Sequence, residues 1–247
     1  MDVLDPQRRN ESGRPAGFFA TTHWSVVVRA SDSQLPEAAL AMERLCRTYW
    51  YPLYVFIRRK GHTHENACDL TQAFFARFLE KRYLRSVDAK LGKFRTFLLT
   101  SLTHFLADEW DKSQAQRRGG GRPILSLDEA AAEERYQSEP MDHVTPESLF
   151  EQRWAQTVLG TVLDRLASEC DEKRFEMLKG FLLDEKGEVS YEDAARFLGM
   201  SVAAVTSAIH RMRGRFRTLL YEEIARLVSS PEDVEPELRH MLDALSG

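Results

Sequence analysis

The sequence predicts an all-α protein, and three observations predict it. Apolar residues recur at spacings of three and four in one segment after another. No stretch alternates apolar and polar residues as a half-buried strand would. A two-helix unit with a tight turn occupies Ser190 to Arg217. A basic, glycine-rich break, RRGGGRP at 117–123, cannot be helix and interrupts the pattern. The expected architecture is two helical domains joined by a flexible linker. Its parts are an N-terminal extension at 1–35, a front domain at 36–116, the linker at 117–146, a rear domain at 147–228 and an acidic tail at 229–247.

The elements follow in order. Residues 1–17 are polar and read as disordered, and Phe18 to Val28 is a short apolar segment that Thr21 or Thr22 can cap. From Pro36, Leu40, Leu45, Tyr49, Leu53, Phe56 and Ile57 form a helical stripe with a kink expected at Pro52, and Gly61 stops it. Thr63 caps the next helix, about Glu65 to Tyr83, with Leu70, Phe74, Phe78 and Leu79 facing inward. After a loop at 85–92, a third helix runs from Phe94 to about Lys112 on Phe94, Phe97, Leu98, Leu102, Phe105 and Leu106. Through about Pro146 the chain is acidic, polar and poor in periodic signal. Helices resume at Glu147 to Leu166 and Glu172 to Leu183.

The two-helix unit is the most specific motif. Ser190 with Asp193 makes a capping box, Gly199 suits a left-handed turn, and Ser201 caps the second helix. Val202, Val205, Ile209, Met212 and Phe216 form a buried stripe, and Ala195 is small where the helices cross. That is the pattern of a helix-turn-helix, whose second helix enters the DNA major groove. The second helix continues to Leu227, and a short acidic helix ending near Leu245 is expected in the tail.

Charge and composition narrow the partners. The formal charge of -4 makes attraction to phosphate a matter of local patches. Lys112, Arg117, Arg118 and Arg122 form one, and Arg211, Arg213, Arg215 and Arg217 another. Three widely spaced cysteines suit a reducing compartment better than a disulfide framework. No apolar run approaches a membrane span, and the first residues lack the apolar core of a signal peptide, so the expected location is the cytoplasm.

Rival chemistries are weaker. His62, His64 and Cys68 lie close together around Glu65, but their spacing matches no standard zinc signature and no fourth ligand is evident. GGGRP lacks the lysine and hydroxyl of a phosphate-binding loop. The expectation is a protein with no catalytic activity of its own, no metal and no cofactor.

Two blocks then carry a resemblance to a family. DLTQAFFARFLEK at 69–81, followed after a loop by FRTFLLTSLTHFLADEWDKSQAQRR at 94–118, resembles the second region of bacterial RNA polymerase sigma factors. Residues 147–220 resemble their fourth region. The order of the blocks, with no middle domain, is similar to the small extracytoplasmic-function type, over roughly 40–227. The resemblance implies that Asp69, Gln72 and Arg77 dock on the coiled coil of the largest polymerase subunit; on the residues alone the favoured reading is that they are solvated. It implies that Arg85, Lys90, Lys93, Arg95, His104, Trp110, Arg117 and Arg118 read and open the downstream promoter element. Trp110 either stacks on a base or packs in the core. In the rear domain it implies that Ala203, Ala204, Thr206, Ser207, His210, Arg211 and Arg213 face the upstream element. Thr206 and Ala208 stand where family members commonly carry basic residues, and His104 where they commonly carry asparagine. The implied partners are core RNA polymerase, promoter DNA and an inhibitory anti-sigma protein. The alternatives are an ordinary helix-turn-helix regulator with a sensor or dimerisation domain, and an adaptor descended from a sigma factor.

Overall fold

The computed structural model of the chain describes residues 36–79, 94–115, 129–139, 144–182, 189–228 and 230–246. Every regular element among them is helical. In order they are α1 (Pro36–Arg59), α2 (His64–Leu79), α3 (Phe94–Ala115), α4 (Glu129–Gln137), α5 (Pro146–Ser168), α6 (Glu172–Leu178), α7 (Tyr191–Leu198), α8 (Val202–Leu227) and α9 (Val234–Ser246). One-turn 3-10 segments at Lys179–Phe181 and Pro231–Asp233 follow α6 and precede α9. No helix among the described residues is long and apolar enough to cross a membrane.

Local chemistry sets the helix ends. Gly61, at φ 96, ends the turn after α1 in a conformation that side chains rarely adopt. The Thr63 hydroxyl accepts from the Asn66 amide at 3.3 Å and starts α2. Thr145 and Asp171 cap α5 and α6 by accepting from Ser148 and Arg174 amides.

The centre of the molecule is α5. It packs on α1 along one side and on α8 and α9 along others. Leu149, Phe150, Trp154, Ala155 and Val162 on α5 are fully enclosed, as are Leu53, Tyr54, Val55 and Ile57 on α1. Around them α2 and α3 add an aromatic group: Phe74 meets Phe105 edge-on at 5.6 Å, and Phe78 meets Phe94 at 6.2 Å. The front and rear helices therefore share a continuous apolar core. This differs from the expected pair of helical groups meeting only through a linker. The physical reason is α5, whose apolar surface exceeds one stripe and is buried on more than one side.

The expected flexible linker is also corrected in part. Residues 129–139 form α4 and its exit turn, docked on α1. Tyr54 donates to Glu133 at 2.5 Å and Arg58 pairs with the same carboxylate at 2.8 Å. Arg58 lies 4.6 Å over the Tyr136 ring, and Arg135 lies 4.1 Å over Tyr51. Glu139 is buried, accepts from Tyr51 at 3.1 Å and forms an ion pair with Arg153 of α5. Burial pushes the Glu133 carboxyl up, but the hydrogen bonds from Tyr54 and Gln137 and the charge of Arg58 outweigh it and leave the group below its ordinary value.

Two apolar positions differ from expectation. Leu40 is exposed, and Val202, expected in the buried stripe, is 41% exposed. Val202 is the first residue of α8, directly after its Ser201 cap. The N-terminal segment at 1–35 and the loop at 85–92 lie outside the described residues.

Candidate nucleic-acid interface

The helix-turn-helix is built by its caps. The Asp193 amide donates to the Ser190 hydroxyl at 3.0 Å, and that hydroxyl in turn donates to the Asp193 carboxylate at 2.7 Å. Gly199 takes φ 63, and the next amide, Met200, reaches back to the Ala195 carbonyl at 2.9 Å, which closes α7. Ser201 accepts from the Ala204 amide at 3.2 Å and opens α8. Ala194, Ala195, Val205, Ala208 and Ile209 are buried where the two helices meet the core. The Phe181 and Tyr191 rings, 5.0 Å apart, seat the start of α7.

This frame turns one face of α8 outward. Ala203, Thr206, Ser207, His210 and Arg211 are exposed, and Ala204 is half-buried. Ala208 is 4% exposed and belongs to the core, so a basic side chain does not fit there. Arg213 is half-buried, and its Nε donates to the Phe181 carbonyl at 2.8 Å, so it braces the turn before α7. Arg215 is held by Glu169 at 2.6 Å, and those hydrogen bonds keep the Glu169 carboxyl below its ordinary range. Gly214 and Arg217 also lie on the outward face. Sequence reasoning named Arg217 only as part of a basic patch and did not single out Gly214, although 203, 207, 210, 214 and 217 follow one another at spacings of four and three, the signal of a single helical face.

Of the residues expected to meet the downstream element, Arg95, His104 and Trp110 are described, and they do not share one face. Arg85, Lys90, Lys93, Arg117 and Arg118 lie outside the described residues. Arg95, in the first turn of α3, is 3% exposed. Its Nε lies 2.6 Å from a Glu151 oxygen, a second guanidinium nitrogen pairs with Glu237 of α9, and the guanidinium sits 4.7 Å over the Trp154 ring. His240 of α9 approaches the same Glu151 oxygen at 3.0 Å. Arg95 is thus a buried ion-pair residue joining α3, α5 and α9, which corrects its assignment as an exposed DNA contact. Its partners are 56 and 142 positions away in sequence, beyond the range of any local pattern. His104 and Trp110 are exposed, the latter by 63%, so Trp110 is not the core tryptophan of the alternative reading. His104 is nine residues from Arg95, or about 900° of helix, which places it on the opposite face of α3.

On α2, Asp69 is exposed and Gln72 half-buried, one turn apart on the outer face. Arg77 pairs with Asp108 of α3 at 2.9 Å and lies 5.7 Å from the Phe105 ring centre, so it braces α2 against α3. The nearby histidines have other occupations. His64 Nδ1 lies 3.0 Å from the Tyr54 hydroxyl and 3.7 Å from Cys68 Sγ, and the Asn66 amide meets His62. Among the described residues no group of three or more His, Cys, Asp or Glu converges as a metal ion requires.

No family model, no curated protein and no solved structure matches this chain.

Proposed function

We propose that this chain is a cytoplasmic, sigma-type transcription initiation factor. It binds core RNA polymerase through the outer face of α2 and sets the exposed face of α8 on an upstream promoter element. The polymerase supplies the nucleotidyl transfer; this chain supplies promoter choice and strand opening, with no cofactor. The observation that carries the reading is the α7–turn–α8 unit, with Ser190, Gly199 and Ser201 fixing its geometry and its second helix presenting Ala203 to Arg211. The order of the two resembling blocks supports the polymerase partner.

A second reading is favoured by the continuous core through α5. A helix-turn-helix regulator, or an adaptor, needs no separation of front and rear helices. One experiment divides them. The purified chain is mixed with core polymerase and promoter fragments from its own genome, and run-off transcripts are measured. Transcripts that require both the chain and the polymerase, and that fall when Asp69→Ala is combined with Gln72→Ala, support the initiation factor. DNA binding without polymerase and without transcripts leaves a regulator, and polymerase binding without transcripts leaves an adaptor.

A further inference from the structure

We propose that the first two turns of α8 read thymine methyl groups, so that the preferred element is a run of A·T pairs entered through the major groove. This rests on the DNA-binding reading above and names what that helix recognises.

The argument begins with the chemistry of the outward face. In a helix-turn-helix the N-terminal residues of the second helix meet base edges, while residues further along approach the backbone. On α8 the leading residues are Val202, Ala203, Thr206 and Ser207, all exposed and all uncharged. The first side chain able to carry charge is His210, followed by Arg211, Arg213, Arg215 and Arg217, of which Arg213 and Arg215 are held by Phe181 and Glu169. No acidic residue occurs between Val202 and Tyr221, so the helix suits a polyanion along that length. Cations at the far end suit phosphate, and the near end has none to place on a guanine edge.

What the near end offers is methyl groups. The Thr206 hydroxyl donates to the Val202 carbonyl at 3.0 Å, which engages it with the helix's own backbone and leaves the methyl for a ligand. Ala203 presents a methyl, and Val202 two, at 41% exposure. Phe197, the penultimate residue of α7, is 63% exposed and extends the apolar surface across the turn. In the major groove only thymine carries an apolar group, its C5 methyl, and small apolar side chains are its usual partners. Guanine is recognised by arginine or lysine and adenine by asparagine or glutamine, none of which stands at 202–207. The Ser207 hydroxyl can pair with either kind of base and adds no preference against this reading.

The test uses two duplex libraries that share one randomised window, one made with thymine and one with deoxyuridine, which lacks only the C5 methyl. The full chain, alone and with core RNA polymerase, is equilibrated with each, and the bound fractions are sequenced. The expected result is enrichment of consecutive thymines from the first library. Binding of the same sequences should be about fourfold weaker for each methyl lost, the scale of one buried methylene-sized group. Thr206→Ser, which keeps the hydroxyl and removes the protein's methyl, should abolish the thymine–uracil difference at one base pair and preserve it elsewhere. Equal binding of the two libraries with a common enriched sequence would overturn the methyl readout and leave DNA binding standing. A uniform loss at all positions in Thr206→Ser would overturn it as well. Enrichment of nothing from either library removes DNA recognition by α8 and this inference with it.

Discussion

The α8 face and the start of α3 were both expected to meet DNA, and they have opposite fates. On α8 the leading outward residues are small and exposed, and Arg213 and Arg215 are held by Phe181 and Glu169. On α3 the leading cation, Arg95, is enclosed by Glu151, Glu237 and Trp154. The lesson concerns reach. A short side chain on an amphipathic helix goes where the helix face goes. A long cationic one goes where a carboxylate captures it, and that carboxylate can lie anywhere in the chain.

Three substitutions sharpen this contrast. The largest effect is expected from Trp154→Ala, because Trp154 is fully buried on α5 and lies under Arg95. It should cost about 3–5 kcal/mol, read as a fall in the urea midpoint, and should loosen both regions together. A loss confined to α3 would mean that α5 does not couple them. Next is Glu237→Ala, which removes one of two carboxylates from a buried guanidinium. Loss of about 3 kcal/mol is expected, at the low end for breaking a buried pair because Glu151 remains. Hydrogen exchange should quicken at the start of α3 and on α9 while amides at 203–211 keep their protection. Equal acceleration at both places would contradict the separation. The smallest effect is expected from Ser201→Ala, which removes the cap of α8 and should cost about 1 kcal/mol. It should fray the leading turn of α8 and leave Arg95 protected; unchanged exchange at Ala204 would show that the cap contributes nothing.

Much of the fold was legible because its signals are local. Gly61, Thr63, Ser190, Gly199 and Ser201 each act within four residues, and the helices begin and end where they predict. The short tail helix, α9, was legible for the same reason. The docking of 129–139 was not. Its attachment depends on Tyr51, Tyr54 and Arg58, which lie 75 to 88 positions away from their partners, and its own apolar signal is little more than Ala132 and Tyr136. Of the candidate interface, the exposed face of α8 was legible by angle alone, with Gly214 overlooked. Ala208, which was not among the expected contacts, is buried as helical phase requires, one turn before Met212. Arg77 and Arg95 were beyond sequence, since Asp108 and Glu237 only become neighbours once α2, α3 and α9 are packed.

The sealed guanidinium has an electrostatic consequence. A cation whose field lines end on two enclosed carboxylates is silent at a distance, so the α3 start contributes little to the potential outside the molecule. On α8, Arg211, Arg215 and Arg217 are exposed, and since Glu169 lies against Arg215, Arg211 and Arg217 contribute most of that helix's positive potential in solvent. On the proposed DNA-binding reading, a duplex would meet positive potential at α8 before it meets any at the start of α3.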